Sequence, residues 1–354
     1  MLHHRLHIPV VGIKDADWFA AGNEAGSGPY RISRYEPGQR MVVDRFEEYW
    51  RGWSAGQIDT VIFELVEDPT AVEQMMRAGE ADIASSRVLG QEQMASLAED
   101  ERLVLDVSAG SLNSVLYLNQ RRSPTDNPLV RQALAYSFPY DEVIANTNLG
   151  KGTRARGAVP VSVWGHNPGE PAYDYDPQKA KALFAEAGYA DGLKIEFSFD
   201  PTEQPAAELW RAALAEIGVD LLLVPIDFGT RADKLKSDPE NSPQINSIFW
   251  GPDALGPYTY LFNMFHSEEE PMFNFGFYSN PAFDALIEEA NLLSGTDQMA
   301  AAALFADAQR FLDDDAAGIF VQDFPNLIIL DKNLKGFVGN PGYNNAVFWY
   351  DVRR

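Results

Sequence analysis

At 354 residues the chain is long enough for about two domains, and 45% hydrophobic residues supply a core for each. Fifty-two acidic against twenty-eight basic residues leave a formal charge of -24, which repels nucleic acid and anionic membrane and favours cationic solutes in long-range encounter. The more ordinary reading of this acidity is a solubility or salt-adaptation surface.

No run of about eighteen apolar residues occurs, so no segment reads as a membrane span. With zero cysteines there are no disulfides, no thiolate metal sites and no lipoprotein cysteine. Met1 to Val11 carries histidines and one arginine, without the apolar core and small-residue cleavage site of an export signal. His3, His4 and His7 can bind a metal adventitiously, although such a terminal cluster is more often a flexible or tag-like feature.

From Arg40 onward strands alternate with short helices. Met41 to Phe46 and Ile58 to Val66 are β-rich, and a helix opens at Pro69-Thr70 and closes near Gly79. Leu103 to Val107 and Ser114 to Asn119 read as two further strands, giving an α/β lobe. Asp176 as N-cap, Pro177 in the first turn, apolar Ala180, Leu183, Phe184 and Ala187 on one face, and Gly188 as the stop define a packing helix. Then come strand Lys194 to Asp200, helix Glu203 to Ile217, strand Val219 to Asp227, helix Gly229 to Lys236 and strand Ile245 to Trp250. Such a series builds a parallel, doubly wound sheet. Asn280-Pro281 opens another helix, Asp297 to Asp313 forms a third with Leu304, Phe305, Ala308, Phe311 and Leu312 inward, and Gly318 to Leu330 returns as a strand.

Ordered landmarks run along nearly the whole chain. They are Gly26-Ser27-Gly28-Pro29-Tyr30 with Arg45 to Trp50, Arg77 to Ile83, Leu116 to Asn119, Pro128 to Leu134, Asp176-Pro177 through Tyr189, Phe249-Trp250-Gly251-Pro252-Asp253, and Lys335-Gly336-Phe337. The series resembles the extracytoplasmic solute-binding proteins of ABC importers, family 5, the peptide, nickel and opine class. The resemblance implies an α/β, two-lobed periplasmic-binding-protein fold (class II-like, cluster C) with a cleft between lobes. Residues 27–120 plus 325–354 would form lobe I, residues 121–324 lobe II, with crossings near Asn119 and Phe324 permitting hinge closure. Residues 1–26 would be a remnant of the small domain that relatives insert ahead of the Gly-Pro-Tyr turn. It also implies a non-enzymatic, monomeric protein without a cofactor, periplasmic or extracellular and membrane-associated. Such a protein captures di- or oligopeptides, or a similar solute, for a membrane permease.

Trp250, Gly251 and Asp253 lie past the carboxyl end of a predicted parallel strand, where open α/β sheets bind ligands. In peptide-binding relatives the matching aspartate pairs with the ligand's α-ammonium, and Trp250 offers an aromatic face to an apolar body or a cation. The alternative is that Trp250 is core and Asp253 caps a turn before Gly256-Pro257. Gly256 stands where relatives often carry a second aspartate, which puts charge recognition in doubt. Asp200 and Asp227 also end strands of this sheet, though such residues more often cap helices or turns. Ser85 and Ser86 match a family loop facing the cleft. Gln322 and Asp323 interrupt an apolar run and need polar partners, as a hinge bond or as ligand contacts.

Nickel-chelate, opine or oligosaccharide recognition on the same scaffold is the runner-up. The rival from another class is a carboxylate-based hydrolase, because the acidic residues are numerous. No G-x-S-x-G, H-E-x-x-H or Walker sequence occurs, and Gly150-Lys151-Gly152-Thr153 lacks phosphate-loop spacing. His166 and His266 stand apart and suggest no site.

Overall fold

The structure, a computed structural model, describes residue 18 and residues 24–354 apart from 252, 253, 271 and 343–345. His3, His4, His7 and Asp253, and most of residues 1–26, therefore lie outside the described residues. The chain divides into two compact units. One takes the described residues of Met1–Ser108, Asn326–Asn340 and Asn345–Arg354, the other those of Ala109–Pro325 and Pro341–Asn344.

In the first unit β1 (Tyr30–Glu36), β2 (Arg40–Arg45) and β3 (Thr60–Glu64) form an antiparallel sheet in chain order. The Gly-Pro-Tyr turn has a physical task here. Tyr30 packs edge-on against Trp53 and donates its hydroxyl to the Ile58 carbonyl at 2.7 Å, while Phe46 N–H reaches Pro29 O at 2.7 Å. Helix α1 (Pro69–Ala78) starts at its cap Asp68 and stops at Gly79, whose φ of 73° is left-handed and free of Cβ strain. Strand β4 (Ile83–Ser85) pairs with Ile328–Leu330, and helix α2 (Gln91–Ala98) follows it. Ile328, Leu330, Leu334 and Val352 make the small core beneath.

Strand β5 (Leu103–Leu118) is continuous where two strands were expected. The run Ser108-Ala109-Gly110 breaks the apolar pattern but not the extended backbone, and it is where the chain passes from one unit into the other. In the second unit β5 lies antiparallel to β9 (Ile245–Trp250), with Asn113 opposite Trp250 and Leu118 opposite Ile245. β9 is parallel to β7 (Leu193–Phe199), and β7 to β8 (Val219–Pro225), so the expected β-α-β-α-β series is parallel and joined to an antiparallel neighbour. Strand β10 (Gly318–Asp331) lies beside β5, and the short β6 (Thr153–Arg154) pairs with its Gln322 and Asp323.

Apolar cores cover this sheet on both faces, as a wound sheet requires. One is built from α3 (Pro128–Ser137), α4 (Tyr140–Ala145), α5 (Pro177–Glu186) and α6 (Gln204–Glu216) against Ile195, Phe197 and Leu221. Its centre is Trp210, fully buried, with the indole N–H donated to Ser137 Oγ at 3.0 Å. The other packs α7 (Phe228–Ser237), α8 (Pro257–Phe265), α9 (Pro281–Leu293) and α10 (Gln298–Asp314) against Val115, Tyr117 and Ile248. Asp176, Asn280 and Asp297 cap α5, α9 and α10 through their side chains, as their sequences predict. Lys151 and Gly152 connect a 3-10 turn (Asn148–Gly150) to β6, and a Cβ on Gly152 would stand 2.0 Å from Gln322 Oε1.

Candidate functional site

At the carboxyl ends of β7 and β9 the second unit holds a cavity of about 250 Å³, walled by Phe228, Phe249, Trp250 and Phe273 with Asp200, Glu203 and Arg231 as its charged groups. Each charged group is placed by local sequence chemistry. Asp200, directly after β7, accepts from Thr202 N–H at 3.0 Å, and Glu203 Oε2 accepts from Asp200 N–H at 3.0 Å, a reciprocal capping box. Asp227 caps α7 through Thr230 N–H at 3.0 Å and so fixes the first turn, which carries Phe228 and Arg231. The parallel register that sets Ser198 against Asn246 brings Ser247 level with the end of β7. Ser247 donates its hydroxyl to Glu203 Oε2 at 2.5 Å and accepts from Arg231 Nη1 at 3.4 Å. Trp250 ends β9 and meets Phe273 edge-on at 4.9 Å.

Burial pushes the Glu203 carboxyl up to about 6, against the opposing pull of the Ser247 and Asp200 hydrogen bonds and the Arg231 charge; the charge of Asp200 adds to the rise. Burial likewise lowers Arg231, offset by Glu203, Asp200 and Asp227. Hydrogen bonds from Thr230 hold Asp227 below the usual carboxylate range. The arrangement is therefore a desolvated arginine and glutamate bridged by a serine hydroxyl, opening onto an aromatic-walled space. Among the described residues no group of three or more His, Asp or Glu side chains is placed to hold a metal.

Of the residues singled out from sequence, Trp250 and Gly251 line this cavity. Trp250 is buried, and its Nε1–H has no hydrogen-bond partner among the described residues. Asp200 and Asp227 both act as caps, and Asp200 lines the cavity as well. Gln322 is buried elsewhere in the same unit, donating to Thr147 Oγ1 at 3.0 Å while its Oε1 has no partner among the described residues. Beside it Asp323 accepts from Val161 N–H at 2.9 Å, and burial pushes it up to about 7. Ser85 and Ser86 belong to the first unit. Ser85 is paired opposite Ile328, and Ser86 N–H bonds Leu327 O at 2.9 Å. Glu203, Arg231 and Ser247 were not singled out, because no local motif links positions that meet only through the register of β7 and β9.

Residues 1–271 match the family described as bacterial extracellular solute-binding proteins, family 5. The chain belongs to this family. It is 29% identical over 327 residues to heme-binding protein A of Haemophilus influenzae, covering 90% of this chain and 58% of that protein. The dipeptide-binding protein of Escherichia coli is 27% identical over 327 residues, covering 90% and 59%. The chain thus spans under two thirds of the length of these curated relatives. Among solved structures, HbpA2 from Haemophilus parasuis superposes with a TM-score of 0.79 at 25% identity, over 95% of this chain and 67% of that one. The periplasmic binding protein DppA from Helicobacter pylori, in complex with peptide STSA, gives 0.77 at 24% identity over 96% and 66%. The α/β fold of this family-5 chain is thus that of the periplasmic binding proteins.

Proposed function

We propose that this protein is the solute-binding component of an ABC importer, holding a peptide or similar small solute and presenting it to a membrane permease outside the cytoplasm. The observation that carries the reading is the aromatic-walled cavity at the carboxyl ends of β7 and β9, closed by Trp250 and Gly251, in a chain of this family. Asp253, outside the described residues, is proposed from its sequence motif to pair with a ligand ammonium. Two relatives named for dipeptide and heme binding support small-solute capture while differing in the solute.

The protein is proposed to act as a monomer by reversible capture, with ATP hydrolysis belonging to the transporter. Incubation with a pool of di- and tripeptides tests this directly. The reading expects peptides to be retained and recovered intact; steady cleavage of the pool supports the hydrolase alternative instead. Small-angle scattering with saturating peptide is expected to show compaction if lobes 27–120 plus 325–354 and 121–324 respond to ligand as two bodies.

A further inference from the structure

We propose that the cavity takes a carboxylate group of the solute, held by the guanidinium of Arg231 and the indole N–H of Trp250. This rests on the solute-binding reading and adds a chemical class to it. Arg231 is only 4% exposed, lines the cavity, and has a single side-chain hydrogen bond among the described residues, the long one to Ser247 Oγ. A guanidinium carries five N–H donors, and with one of them engaged here the others are open to an acceptor arriving in the cavity. Trp250 is 7% exposed, lines the same cavity, and its Nε1–H has no hydrogen-bond partner among the described residues.

The neighbouring carboxylates leave these donors free. Asp200 Oδ1 accepts from Thr202 N–H and Oγ1–H at 3.0 and 2.6 Å. Glu203 Oε2 accepts from Ser247 and from Asp200 N–H. Both acids accept from neutral donors of their own turn and of β9, and Arg231 bonds to neither, so the arginine fork is left for a planar, bidentate acceptor. A carboxylate has that shape, and a guanidinium pairs with it through two parallel N–H···O bonds.

The test uses N-acetylglycine as the anionic probe and N-acetylglycinamide as its neutral match, followed by the ¹H–¹⁵N indole signal of Trp250, assigned through Trp250→Phe. The expected result is a saturable shift with the carboxylate, an affinity at least about tenfold weaker for the amide, and loss of that preference in Arg231→Gln. Arg231→Lys, which keeps the charge but not the fork, is expected to keep part of the preference and also guards against a Gln variant that fails to fold. No saturable shift, equal affinity for the two probes, or a preference unchanged in both variants overturns the proposal. A peptide retained by the wild type with affinity indifferent to Arg231 leaves solute binding standing and removes only the carboxylate assignment, whereas retention of no solute removes the broader reading.

Discussion

Ser247 gives its hydroxyl proton to Glu203 at 2.5 Å while accepting from Arg231, so one serine joins the two buried charges of the cavity. Glu203 carries a pKa raised from the ordinary 4.5 to about 6, which means the folded state holds a proton that the unfolded chain has already released. Stability attached to this group is present at low pH and is lost as pH rises from about 4.5 through about 6. Glu203→Gln is expected to remove that loss, on the order of 1–2 kcal/mol. Denaturant unfolding of both proteins at the two ends of the window checks it, as a difference between variant and wild type that grows with pH.

Ser247→Ala removes a bond that pulls Glu203 down and leaves the carboxylate less satisfied. The Glu203 pKa is expected to rise further, read from the ¹³C shift of its side-chain carboxyl during a pH titration.

Asp323 behaves in the same sense over a wider range, because burial raises it from 3.8 to about 7 and its Oδ1 has no partner among the described residues. Stability from this residue falls as pH rises between about 4 and about 7. Asp323→Asn keeps an acceptor for Val161 N–H and titrates no proton. It is expected to flatten that slope, with a gain over wild type at neutral pH of at most about 4 kcal/mol. Equal pH profiles by chemical denaturation would contradict it.

Trp210 is expected to matter most for stability of the second unit. Its side chain is fully buried between Phe138 and Phe197, so Trp210→Ala should cost about 3–5 kcal/mol, visible as a lower denaturation midpoint.

Asp227→Ala removes the cap of α7 and should cost about 1 kcal/mol. Because α7 carries Phe228 and Arg231, calorimetry should also show weaker solute binding than that small loss alone suggests.

What was legible in the sequence was local. Asp176-Pro177 and Asn280-Pro281 announce helix starts because the cap and the first turn are adjacent residues, and Gly79 stops α1 because its backbone is left-handed. Trp250 was placed at a strand's end by the strand-like stretch Ile245 to Trp250, which β9 reproduces residue for residue. The small polar run through Ser108 and Gly110 looked like a break, yet β5 stays extended through it. The Glu203–Ser247–Arg231 relay joins positions 16 and 44 residues apart, and only strand register brings them together. Its glutamate reads in sequence as an ordinary helix start.

Native mass spectrometry of protein purified without denaturation tests the central claim most directly. The account predicts a bound small solute, lost on unfolding and replaced by added peptide in the refolded or solute-stripped protein. A protein that carries no solute and, once stripped, takes up none from a peptide pool would contradict it.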